Sequence, residues 1–76
     1  MNKYRRKAIE QIIETLDQIN NEIEIIQEEE QEYMDNMPEN FQDSDNYYVA
    51  EEAVDNLGNA IESIEEAINY LDDAKR

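Results

Sequence analysis

Carboxylates are the groups in this sequence that could do chemistry. The 76 residues carry 21 Asp and Glu against 6 Lys and Arg, with neither His nor Cys. That absence removes the common nucleophile–base pairs, structural zinc sites, histidine-bearing di-iron motifs and the HExxH type. Ser44 and Ser63 have no base-and-orienter set beside them. A single glycine excludes a Gly-rich phosphate loop. Asp43-Ser-Asp45-Asn46 starts like an EF-hand loop, but Tyr47 stands at its fifth position and no glycine at its sixth. Paired carboxylates suit general acid–base work, yet nothing in the pattern points to a concave pocket for a substrate. The sequence therefore predicts no enzyme, no cofactor and no dedicated metal site, with only loose Ca²⁺ or Mg²⁺ association.

The placement of charge is more informative than its amount. All the bases lie at the ends, as Lys3, Arg5, Arg6, Lys7, Lys75 and Arg76. From Ala8 to Ala74 every charged residue is acidic. The net charge of −15 argues against nucleic acid or an anionic membrane as direct ligand, since phosphate binding needs Lys and Arg. It favours a basic protein partner.

Spread along a rod of ~50 Å, the carboxylates come to about one per 2.4 Å, against one per ~1.7 Å for duplex DNA. With no interior Lys, the i,i+4 pairs Glu28/Glu32 and Glu62/Glu66 repel, whereas a sequence shaped only for folding mixes signs. These facts predict a selected negative surface, with Glu22, Glu28, Glu29, Glu32, Glu62, Glu65 and Glu66 as partner-binding candidates. Tyr48 and Tyr70, outside the main apolar stripe, are the aromatic candidates. The plainer reading is a solvated face. For the basic end the plainer reading is dipole compensation by Lys75 and Arg76, with Lys3 to Lys7 screening Asp72 and Asp73.

The elements that position these groups follow from apolar spacing. Between residues 8 and 35 the apolar side chains fall in heptads. Ile9, Leu16 and Ile23 hold one seam position; Ile12, Ile19, Ile26 and Tyr33 hold the other; Ile13 and Met34 widen the stripe. Steps of three and four are helical, not the period of two of a strand. Glu30 stands where the heptad asks for an apolar residue, and charge at a seam can set register in an antiparallel dimer. Pro38 ends the helix and restricts Met37. The segment Pro38–Gln42 has room for one helical turn, and Asp43, Ser44 or Asp45 offers the next N-cap.

The second helix repeats Ala53-Val-x-x-Leu57, Ala60-Ile-x-x-Ile64 and Ala67-Ile-x-x-Leu71 at heptad spacing, and Ala74 opens a fourth. An alanine ridge permits close helix approach, and a stripe three positions wide suits a helix touching two neighbours. Gly58 falls on the solvent side of this scheme, at a cost of about 1 kcal/mol relative to alanine. Phe41 and Tyr47 are expected to cap the end of the core, and Ile25 to be a lone exposed residue.

The predicted fold is all-α and a single domain over residues 1–76: helix 3–36, connection 37–45, helix 46–75, folded as a two-helix antiparallel hairpin. In that register Leu16 faces the Ile64 region and Ile26 the Val54–Leu57 region. So short a chain seldom buries enough apolar surface alone. The hairpin is therefore expected to form a homodimeric four-helix bundle. Its expected core is Ile12, Leu16, Ile19, Ile23 and Ile26 on one helix, and Leu57, Ala60, Ile61, Ile64, Ala67, Ile68 and Leu71 on the other. No apolar run approaches the ~20 residues of a membrane span. Glu10, Glu14 and Asp17 deny the basic start an export-signal h-region, which predicts a cytoplasmic location.

The run Tyr33-Met-Asp-Asn-Met-Pro-Glu-Asn-Phe-Gln42, with Ala50-Glu-Glu-Ala-Val-Asp-Asn-Leu57 and the alanine heptads, resembles a group of small acidic proteins. These are encoded by phages and other mobile elements of Gram-positive bacteria, and the likeness covers most of the chain. It implies a mobile-element context, where short acidic proteins resemble anti-CRISPR and other DNA-mimic inhibitors of nucleic-acid-binding defence proteins. It carries over no functional residues. The function expected is thus an inhibitor occupying a basic groove. The alternative is a structural or adaptor bundle whose charge serves solubility.

Overall fold

The computed structural model describes residues 1–76. It contains helix α1 (Lys3–Asp35), a single 3₁₀ turn (Glu39–Phe41) and helix α2 (Asp45–Ala74), with no strand. Each α-helix begins at a side-chain cap. Asn2 Oδ1 accepts from the backbone N–H of Arg5 at 2.8 Å, and Ser44 Oγ accepts from that of Tyr47 at 3.4 Å. Each bond satisfies a backbone donor that a helix start leaves unpaired. Among the three cap candidates Ser44 takes the role, which leaves Asp45 in the first turn where the helix dipole favours an acid. Pro38 has no N–H to continue α1, and its extended ψ of 146° turns the chain into the 3₁₀ turn.

The helices fold back on one another as an antiparallel hairpin, with Cα extents of 59 × 15 × 12 Å. Two cross-helix bonds define the register. Asn20 Nδ2 donates to the Ile61 carbonyl at 3.3 Å, and Gln27 Nε2 to the Val54 carbonyl at 3.1 Å. One heptad forward on α1 is one heptad back on α2. At the open end Lys75 Nζ lies 3.7 Å from Glu10 and 3.5 Å from Asp72.

The line of α1 that meets α2 runs Ile9, Ile13, Leu16, Asn20, Ile23, Gln27, Glu30 and Met34. α2 answers with Tyr47, Ala50, Val54, Leu57, Ile61, Ile64, Ile68 and Leu71, and all of these are buried or half-buried. Both lines alternate steps of three and four, the seam of an antiparallel coiled coil.

This corrects the α1 stripe. Ile12, Ile19, Ile26 and Tyr33, expected at the seam, stand beside it, between 38% and 52% exposed. Ile9, Leu16 and Ile23 belong to both possible stripes, so the heptad pattern alone is degenerate. What separates the two is the polar row. The amides of Asn20 and Gln27 find carbonyl acceptors on α2, so burying them costs less than their polarity implies. Gln27, not Ile26, therefore faces Val54.

Three neighbouring expectations change with it. Gly58 is not on the solvent side but half-buried under Gln27, and a Cβ there would stand 3.1 Å from the Gln27 Nε2. Ala67 lies exposed beside the seam, not within it. Phe41 is 54% exposed, and the buried Met34 with the half-buried Met37 and Tyr47 closes that end instead.

The core is thin. Only Met34, Ala50 and Ile61 are buried apolar residues, with Asn20 the one buried polar residue, and no large side chain is fully enclosed. No helix is long and apolar enough to cross a membrane.

Candidate functional site

Once the seam is fixed, helical geometry fixes every other face, because each residue turns the side chain by about 100°. In an antiparallel pair, residues just C-terminal to the Leu16-type position of α1 and the Leu57-type position of α2 share one flank. Residues just N-terminal to the Ile13- and Val54-type positions share the other. The Glu10–Asp72 pair, bridged by Lys75, marks the first flank directly.

That first flank is acidic. From α1 it receives Glu10, Glu14, Asp17, Glu24, Glu28 and Asp35, and from α2 Glu51, Asp55, Glu62, Glu65 and Asp72. All are exposed. Between Glu10 and Asp35 they amount to roughly one carboxylate per 3.4 Å of axis, the spacing of phosphates along one strand of duplex DNA. No three of them converge into a group able to hold a metal ion. Lys75 is the base nearest the row and sits at its end, so the shaft is not internally neutralised.

The opposite flank is apolar. It presents Ile12, Ile19, Ile26 and Tyr33 from α1 beside Ala53, Ala60, Ala67 and Ala74 from α2. Neither row contains an Asp or Glu. The surface is therefore not uniformly negative about the rod. It is two-sided, and this is the principal fact the structure adds.

The sequence-level candidates divide between these faces. Glu28, Glu62 and Glu65 lie on the acidic flank. Glu32 and Glu66 lie on the outer backs of the helices, and Glu22 and Glu29 border the apolar flank. Tyr48, 54% exposed, lies on the acidic side near the loop, where its ring meets Tyr47 edge-on with centroids 6.0 Å apart. Tyr70, 69% exposed, lies on the apolar side. Of the acids absent from those candidates, Asp17 and Glu24 lie directly beside the true seam, and Glu14 and Asp55 one row farther out. Their signal was the heptad phase, and assigning the stripe one row over concealed it.

At the open end Arg76 pairs with Asp73 at 3.7 Å. Screening of Asp72 and Asp73 thus comes from α2's own Lys75 and Arg76, and Lys3, Arg5, Arg6 and Lys7 form no ion pair. No family model, no curated protein and no solved structure matches the chain.

Proposed function

We propose that this chain is a binding protein whose acidic flank occupies a basic, nucleic-acid-binding groove of another protein, imitating a nucleic-acid backbone. The observation that carries the reading is the sorting of carboxylates onto one flank at strand-like linear density. Charge selected only for folding and solubility mixes signs, whereas this flank holds eleven acids and no base between Glu10 and Asp35. The rod shape also fits, since a groove that holds a duplex is long and narrow. In the mobile-element context that the sequence resemblance implies, the partner is a host defence protein, and the chain acts inside the host cell.

An adaptor bundle using aromatic contacts is the second reading. It is favoured by the exposure of Tyr48 beside the acids. The two separate on salt and competition. Host proteins retained on the immobilised chain should elute as NaCl rises and in the presence of duplex DNA, because counterion-dependent contacts behave so. Retention indifferent to both, and lost on Tyr48→Ala, would transfer the assignment to the adaptor reading.

A further inference from the structure

The apolar flank has no part in the binding proposed above. The exposed area of the molecule leaves room for a cover of ordinary interface size. A monomeric protein of this mass exposes about 4,900 Å², whereas the hairpin exposes 5916 Å². The surplus of about 1,000 Å² per chain is close to the ~800 Å² that each partner buries in a standard interface. The two rows of the flank hold no carboxylate and only Glu22 and Glu29 border them, against eleven acids on the opposite flank, so this is the side on which a like-charged molecule meets least repulsion.

We propose that a second copy of this chain covers the flank, with the two hairpins pointing in opposite directions, to form a closed four-helix bundle. The axis crosses the rod midway between Ile19 and Ile26. It carries the isoleucine row onto itself, as closed two-fold association requires, and, by the register that sets Asn20 against Ile61 and Gln27 against Val54, places Ala60 beside Ala60 of the partner subunit. Small residues there let the two α2 helices approach closely.

Two independent features set the direction. The first is charge. Lys3, Arg5, Arg6 and Lys7 form no ion pair within the hairpin, while the loop end carries Asp35, Glu39, Asp43 and Asp45 with no base. Arg5 lies one heptad before Ile12 on the same row, so the opposite-ended arrangement brings it to the partner's Glu39. A same-ended pair would crowd both basic clusters together and both acidic loops together. The second feature is shape. The isoleucine row starts at an open groove of about 380 Å³ lined by Ala8, Gln11, Ile12, Thr15 and Leu16. It ends at the exposed ring of Tyr33. The axis that pairs Ile19 with the partner's Ile26 also lays Tyr33 of the partner subunit at that groove.

Light scattering at micromolar concentrations tests the assembly, with an expected mass twice the 9.0 kDa of one chain. Ile19→Glu with Ile26→Glu should weaken self-association at least tenfold. Ile25→Glu, on the exposed back of α1, should leave it unchanged. A monomeric mass at every concentration, or equal weakening by Ile25→Glu, would overturn the proposal. A thin hairpin can unfold once its partner leaves, so a second arm keeps wild-type packing largely intact. The chain has no cysteine; an Ile12→Cys chain mixed with a Tyr33→Cys chain should oxidise to the mixed disulfide. Preferential linkage of Ile12→Cys to Ala67→Cys would instead show the same-ended bundle and overturn the direction. These outcomes are independent of whether the acidic flank binds a basic protein.

Discussion

The side-chain amide of Gln27 crosses the hairpin and donates to the carbonyl of Val54 at 3.1 Å, passing so near Gly58 that a Cβ there would stand 3.1 Å from its Nε2. Alanine in place of Gly58 would gain about 1 kcal/mol of helix propensity at a free site. Here the added Cβ meets the end of a flexible side chain that must shift by a few tenths of an ångström, straining a bond worth ~1 kcal/mol. Gly58→Ala should therefore stabilise by less than the full increment, and the missing part should reappear when Gln27→Ala is already present. Urea denaturation of the four chains of that cycle measures the coupling; strict additivity would contradict the contact.

Asn20 is buried at the seam, with Nδ2 bonded to Ile61 and Oδ1 without a partner. An unpaired buried acceptor costs about 1–3 kcal/mol, so Asn20→Leu should raise stability by about 1 kcal/mol or more. A fall in melting temperature would show that the Ile61 bond outweighs the orphaned oxygen.

Much of the hairpin was legible in the sequence because its determinants are local. Period, Pro38 and the Ser44 cap act through a few neighbouring residues, and the register linking the Leu16 and Ile64 regions followed from the loop. The choice of stripe on α1 was not legible. Ile9, Leu16 and Ile23 serve equally well with the Ile12 row or the Ile13 row, and hydrophobicity favours the richer Ile12 row. What decides the matter is tertiary: amides at Asn20 and Gln27 that reach carbonyls on the other helix. That single change of row also moves the acids, turning an apparently uniform coat into one acidic flank and one apolar flank.

The Ser44 hydroxyl caps α2 directly after the loop. Ser44→Ala should cost about 1 kcal/mol, seen as a lower urea midpoint, while Ser44→Asp should retain most of the stability because its carboxylate serves the same N–H. Equal loss in both variants would contradict the capping role.

Salt should stabilise this protein. Its net charge of −15 is spread over exposed acids, among them the i,i+4 pairs Glu28/Glu32 and Glu62/Glu66, each pair costing a few tenths of a kcal/mol at low ionic strength. Raising NaCl from 10 to 300 mM shortens the Debye length from about 30 Å to below 8 Å. The melting temperature should rise across that range. A flat or falling curve would mean that the open-end ion pairs, not the repulsion, dominate.

The proposed binding depends on position on the rod and not on charge alone. Two charge-matched variants test it most directly: Glu28→Lys with Glu62→Lys on the acidic flank, and Glu32→Lys with Glu66→Lys on the helix backs. Each removes one member of the same two repulsive pairs and changes the net charge equally. Measured by salt-dependent retention of host proteins that duplex DNA displaces, the flank variant should lose at least tenfold in affinity and shallow the salt dependence, while the back variant should stay within about threefold of wild type. Equal losses in both would contradict a one-sided binding surface.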